Sequence, residues 1–442
     1  MKIGLSDHFT YQKLLRFTFP SIIMMIFTSI YGVVDGFFVS NFVGKTPFAA
    51  VNFIMPFLMI LGALGFMFGT GGSALVAKTM GEGDHARAKR IFSMLVYISA
   101  AVGVVIAFLG ILLLRPAAEL LGAEGDLLRD CVTYGRIILI ALPAFMLQME
   151  FQSFFITAEK PQLGLAVTVA AGVTNMILDA LLVGILSWGL EGAAIATALS
   201  QLVGGVVPLL YFARPNSSLL TLTRTNFDGR ALLRTCVNGS SELMSNISMS
   251  VVGILYNMQL LKYAGENGVA AYGVLMYVGF VFASAFIGYS IGVAPVVGFH
   301  DGAQNHGEMK SLFRKSIMIV GAFSLSMVVL ALLLASPLSR MFVGYDEELL
   351  SLTKSGFFVY AFAFLFMGYA IFSSGFFTAL NDGVTSAIIS FLRTAFFQVT
   401  AVLFLPMVWG IDGIWWSIVI AEMMSVGVSA IFLFAKREKY HY

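Results

Sequence analysis

Polar interruptions divide the chain into long apolar stretches. Reading from one interruption to the next gives twelve of them: 14–40, 46–77, 92–114, 131–157, 161–187, 190–213, 235–262, 268–298, 313–335, 350–380, 384–408 and 412–436. Each reaches the ~20 residues that a helix needs to cross a bilayer. Lipid leaves no outside partner for a backbone N–H or C=O, so each stretch is predicted to pair within itself as a helix. The first stretch is too long for a cleaved signal peptide, carries Pro20 and Asp35, and has no small-residue cleavage site after it. It reads as a retained helix.

Composition supports this pattern. Of 442 residues, 59% are hydrophobic and 11% charged, with mean hydropathy +0.89. A soluble domain is about a quarter charged, so a disordered chain, a secreted disulfide scaffold and a cytosolic enzyme are excluded. The 44 glycines suit membrane helices, where Gly is commoner than in soluble ones. A net charge of +2 offers nucleic acid nothing to bind. The expected partners are the bilayer and small molecules, with the chain a monomer.

Lys and Arg placement gives an expected orientation. With the N-terminus inside, 19 of the 26 basic residues fall on the inner side and 7 on the outer, so a multi-pass cell-membrane protein with both termini cytoplasmic is predicted. Cys131 then lies near the outer side and Cys236 near the inner, too far apart for a disulfide.

The sequence also repeats itself at an offset of 221. Gly44 falls on Gly265, Gly81 on Gly302, Phe92 on Phe313, Pro116 on Pro337 and Gly135 on Gly356. Trp188-Gly189-Leu190-Glu191-Gly192 falls on Trp409-Gly410-Ile411-Asp412-Gly413. One shared offset across loops and helix ends predicts an all-α membrane protein with two six-helix bundles. The expected parts are an N-lobe (1–213), a polar connector (214–234) and a C-lobe (235–442). Six helices per copy is an even number, so the halves are parallel repeats about an axis along the membrane normal. A central cleft between them is the expected substrate site, with access alternating as the bundles rock.

A charge at mid-bilayer costs about 2.5–3.5 kcal/mol on insertion scales, so each intramembrane acid needs a reason. Asp35 sits in the first helix; Asn175 and Asp179, four apart, share a face of the fifth. Thr197 is in the sixth, Tyr134 and Arg136 in the outer part of the fourth, and Glu242 near the start of the seventh. Glu150, Arg393 and Glu422 have weaker context, and Arg393 with Glu422 reads as a pair or a snorkelling group. At the repeat offset Asp35, Asn175, Asp179 and Thr197 meet Tyr256, Phe396, Thr400 and Ile418. The N-terminal half therefore carries a polar cluster that the other half lacks. Its oxygens suit a hard cation such as Na⁺ or a carboxyl that carries a proton.

Val34-Asp35-Gly36-Phe37-Phe38-Val39, Gly81-Glu82-Gly83-Asp84, Asn175-Met176-Ile177-Leu178-Asp179 and Gly192-Ala193-Ala194-Ile195-Ala196-Thr197 resemble the multidrug and toxic compound extrusion (MATE) transporters over the whole chain. The branch most resembled includes the DNA-damage-inducible transporters. The resemblance implies export of organic, often cationic, amphipathic compounds in exchange for H⁺ or Na⁺, without a cofactor. It places Asp35, Tyr134, Asn175, Asp179 and Thr197 in the N-lobe cation site, with Na⁺ held by Asp35, Asn175, Asp179 and Thr197 as one reading. Glu242 matches the seventh-helix acid of another branch, but 357–378 lacks the acid that completes that site. Glu242, Asn257 and Gln152 are left as candidate substrate contacts. A lipid-linked flippase of the same superfamily is the alternative; a channel or a membrane-embedded enzyme stands in a different class. No Walker motif, His-rich metal cluster or nucleophile elbow is present.

Overall fold

The computed structural model describes residues 2–442, apart from the side chain of Lys45. The helices are α1 (Tyr11–Val43), α2 (Thr46–Gly81), α3 (His85–Leu120), α4 (Gly125–Ile140 with Leu142–Thr157), α5 (Pro161–Ile185) and α6 (Gly189–Ala213). A continuous helical run, Gly229–Gly302, follows and breaks at Gly265, where φ is +65° and ψ −153°. Tyr256 and Tyr272 on either side of that break stack at 5.1 Å, against the ~24 Å that a straight helix would put between them. The run is therefore a hairpin of α7 (229–264) and α8 (266–302). The chain ends with α9 (His306–Val343), α10 (Glu347–Tyr360 with Ala363–Ala379), α11 (Gly383–Trp409) and α12 (Ile411–Tyr440). With the hairpin counted as two and each bent pair as one, twelve segments are present among the described residues.

The repeat is written in the backbone. α4 and α10 are both broken midway, by 57° and 48°. Pro143 opens the second half of α4, where a residue without an N–H costs no helical bond; α10 breaks at the equivalent level without a proline. The paired Trp-Gly-X-acid-Gly motif makes the turn into the last helix of each lobe. Gly189 and Gly410 take φ of +66° and +60°, a region that costs an L-residue roughly 1–2 kcal/mol. Three residues on, a Cβ on Gly413 would lie 2.4 Å from the Leu405 carbonyl oxygen, so the second glycine permits close packing of the helix start.

Helical structure stops at 213 and resumes at Gly229, where Asp228 caps α7 by accepting from the N–H groups of Arg230 and Ala231. The last residues of the polar connector thus belong to α7. The remainder is docked rather than free: Leu220 is fully buried, and Thr223 donates its N–H to Ser93 on α3 at 2.9 Å.

The two lobes meet at one end only, the end that carries both chain termini. Backbones approach closely there: a Cβ on Gly239 of α7 would lie 2.0 Å from the Met67 carbonyl of α2, and one on Gly302 of α8 would lie 2.1 Å from that of Lys78. Asn238 donates to the Gly71 carbonyl, Asn381 to that of Ala74, and Lys78 pairs with Asp301 at 3.0 Å. Among the described residues, all hydrogen bonds and ion pairs between the lobes lie at this end. Toward the other end Gly32, Gly253 and Gly273 have nothing within 4 Å of an added Cβ. The cleft between the lobes therefore opens away from the termini.

Candidate functional site

Four helices of the N-lobe converge on one buried cluster. Asp35 comes from α1, Tyr134 from the first half of α4, Asn175 and Asp179 from α5, and Thr197 from α6. Asn175, Asp179 and Tyr134 are almost fully buried and Asp35 is 8% exposed. Thr197 donates to Asp35 Oδ1 at 3.5 Å, and Asn175 Nδ2 donates to Thr197 Oγ1 at 3.4 Å. The Asp179 carboxylate lies beside that of Asp35 without a hydrogen bond to it. All five residues expected at the N-lobe site are thus in one place.

Local backbone helps to aim them. The helix of α5 widens into a π-helical stretch that begins at Asp179 and runs to Ile185, and such bulges concentrate at functional positions. The i, i+4 spacing of Asn175 and Asp179 keeps both on the inward face. The widened turn then carries the chain outward past the carboxylate.

The electrostatics distinguish this cluster from an ordinary buried network. Asp35 and Asp179 face each other with no Lys, Arg or His in an ion pair with either among the described residues. Asp179 Oδ1 and Oδ2, Asn175 Oδ1 and the Tyr134 hydroxyl have no hydrogen-bond partner. Two facing carboxylates away from water cannot both remain bare anions; a proton or a cation must stand between them. The unpartnered oxygens, an amide and a hydroxyl form the hard donor set that a sodium ion takes. Nowhere among the described residues do three or more His, Cys, Asp or Glu form a metal-binding group.

The structure adds residues that the sequence did not single out. Tyr31 lies one turn before Asp35 on α1, near both Asp35 and Gln148 of α4. Its i−4 spacing from Asp35 was the available signal, but nothing local says which α4 residue it meets. At the end away from the termini, a cavity of about 420 Å³ is lined by Asp130 and Thr133 of α4 and by Trp188 and Glu191 at the start of α6.

The candidate substrate contacts do not converge. Gln152 is buried inside the N-lobe with its Nε2 unpartnered. Glu242 is half-buried near the start of α7, and Asn257 is exposed near its far end, ~22 Å away along the helix. Arg393 Nε donates to both carboxyl oxygens of Glu422, at 3.1 and 2.9 Å, which accounts for both charges structurally. Glu150 is fully buried with both carboxyl oxygens unpartnered, on the α4 face opposite Gln148 and Gln152. Cys131 and Cys236 are free.

Comparison with known proteins points the same way as the geometry. The MatE family profile matches twice, at residues 20–181 and 243–403, one copy in each half of the chain. The multidrug export protein MepA of Staphylococcus saprophyticus is 24% identical over 437 residues, covering 97% of this chain and 94% of that protein. MepA of Staphylococcus haemolyticus is 23% identical over 431 residues, with the same coverage. Among solved structures, an outward-facing multidrug resistance MATE family transporter superposes with TM-score 0.92 at 22% identity, over 98% of this chain and 97% of that one. A MATE bound to MaL6 also gives 0.92 at 22% identity, over 98% of each chain.

Proposed function

As the chain belongs to the MatE family of membrane transporters, we propose that it exports organic, amphipathic, often cationic compounds and draws the energy from inward flow of H⁺ or Na⁺. The observation that carries this reading is the facing pair Asp35 and Asp179, buried and without a cationic partner, beside a cleft open at one end. Such a pair takes up a proton or a sodium ion when the cleft faces the side of high ion concentration. With the basic-residue bias placing the termini in the cytoplasm, the open end of the cleft faces outward. Uptake of the ion changes the charge between α1 and α5 and so the packing of α1, which runs along α8 of the other lobe. Ion and substrate then favour different arrangements of the two lobes, which is all that antiport requires.

Thr197 holds Asp35 and is itself held by Asn175, and together with Tyr134 they supply neutral oxygens. No covalent chemistry and no cofactor are needed. Purified protein in liposomes, given separately imposed H⁺ and Na⁺ gradients, tests the reading. Uphill movement of an organic cation under one gradient supports it and identifies the ion; downhill flux with neither gradient replaces it with a channel or a flippase.

A further inference from the structure

The segment before α1 lies across the seam where the two lobes meet. Residues 2–10 form no helix, yet Leu5 and Phe9 are completely buried. A peripheral tail would leave such side chains in solvent. This segment is instead held by both lobes at once.

On the N-lobe side, Leu5 donates its N–H to Glu159 Oε1 at 2.8 Å, in the turn between α4 and α5. On the C-lobe side the holder is Glu308 in the first turn of α9. Its Oε1 accepts the N–H of Phe9 at 2.9 Å, and its Oε2 lies 2.7 Å from His8 Nδ1. Lys315, two turns along α9, donates to the Phe9 carbonyl oxygen. The Glu308 carboxylate is only 7% exposed, and both of its oxygens are occupied by the strap.

That arrangement couples the strap to the seam. Hydrogen bonds to a carboxylate are roughly twice as strong as neutral ones, and a buried carboxylate that loses them bears its full desolvation cost. The strap continues directly into α1, whose Ser21 and Ile22 pack against Gly288 of α8. The lobes cannot separate at this end while Phe9 stays on Glu308 and Leu5 stays on Glu159.

We propose that residues 2–10 are a strap that holds the termini-side seam shut, and that Glu308 is the positioning residue from which it must detach in each transport cycle. The inference rests on the alternating-access reading above. Glu308 touches neither the ion cluster nor the cleft, and acts through the strap alone.

The test uses Thr235→Cys in a chain carrying Cys131→Ala and Cys236→Ala. Thr235 is fully buried, and its methyl group packs against Gly72 across the seam, so a thiol there reacts only when the seam opens. Glu308→Ala should speed labelling from the termini side by about fivefold or more, the lower end of ordinary conformational coupling, while Glu308→Asp stays near the parent rate. A second variant, His8→Cys with Glu308→Cys, does not depend on the alanine protein being stable. A short bifunctional methanethiosulfonate should join strap to α9 and stop both export and modification at position 235, the latter read on its own peptide; reductant should return that modification to the fast rate and restore export.

Labelling of Glu308→Ala at the parent rate, failure of the linker to join the two thiols, or undiminished export by the joined protein would each overturn the proposal. Labelling and cross-linking as expected in a protein whose parent never exports against a gradient defeat the exporter reading instead.

Discussion

The two lobes share a scaffold and differ in how their buried charges are satisfied. In the N-lobe, Asp35 and Asp179 face each other with Asp179 unpartnered. In the C-lobe the positions one repeat away are Tyr256, Phe396, Thr400 and Ile418, and the buried acid Glu422 is neutralised by an ion pair with Arg393 Nε at 2.9 Å. Both lobes widen a helix into a π turn at the charged residue, Asp179 in α5 and Arg393 in α11. Similar backbone devices thus serve an open site in one half and a closed ion pair in the other. An unsatisfied charge at mid-membrane is costly to retain, and that cost is the ground on which we propose the N-lobe pair as the coupling site.

The sharpest way to break this comparison is to remove the N-lobe charges. Asp35→Asn and Asp179→Asn should each lower gradient-driven export by about 100-fold or more, near the upper range of coupling free energies, with expression and drug binding preserved. Thr400→Asp added to either should restore nothing, because Tyr256 and Phe396 offer no matching oxygens. Export at parent rates by both Asn variants in liposomes would move the coupling site elsewhere, with Glu242 and Glu150 the next residues to test.

The C-lobe pair should respond through stability. Arg393→Met alone leaves Glu422 buried and uncompensated, at a cost of about 3–5 kcal/mol. Removing both charges as Arg393→Met with Glu422→Met should recover most of that loss and leave export intact. Thermal unfolding of the single and double variants gives the coupling directly; a double variant that folds but does not transport would make this pair functional as well.

A smaller effect is expected at the seam. Gly239→Ala places a methyl 2.0 Å from the Met67 carbonyl oxygen, an overpacking that costs about 1–3 kcal/mol. It disfavours the arrangement in which the termini side is closed. Spin labels at the exposed Arg87 and Lys310 should then report a broader or longer distance between lobes; an unchanged distribution would mean that the seam is compliant.

The most local effect concerns the C-terminal end. Burial by itself raises the Asp382 carboxyl, but hydrogen bonds from Lys436, Tyr440 and Thr385 outweigh it and hold the group below its usual range. Lys436 reaches it at 2.6 Å and the Tyr440 hydroxyl at 2.9 Å. A depressed folded-state value means that the stabilisation is complete above the unfolded value of about 3.9 and is lost as pH falls through the folded one. Proteolysis of residues after 436 should therefore be insensitive to pH between about 5 and 8. Asp382→Asn should accelerate it, through loss of charge-assisted bonds worth about 1.5–3 kcal/mol.

Much of the architecture was legible because it obeys local rules. Hydropathy alone marks the twelve segments, since lipid punishes unpaired backbone in every one of them. The repeat was legible from Trp188-Gly189 and Trp409-Gly410, because only glycine takes a positive φ there without strain. The ion cluster was legible in part. Asp35 and Asp179 stand out as acids in apolar helices, whereas Tyr31 looks like any interfacial aromatic until α1 and α4 are placed side by side. Gln152, Glu242 and Asn257 are equally polar in sequence, yet the fold scatters them over two lobes and the length of one helix.

The sequence by itself determined segments, repeat and intramembrane charges, because each depends on a residue's own transfer free energy or its own backbone conformation. Only the tertiary structure decided which charges are paired. Arg393 finds Glu422 and Lys78 finds Asp301 across helices far apart in the chain, while Asp35 and Asp179 find each other. Only the tertiary structure, too, showed Glu308 as the anchor of a buried segment some three hundred residues away. Such contacts arise from the placement of whole helices and lobes against one another, which depends on packing summed over many residues and is written in no single residue's local pattern.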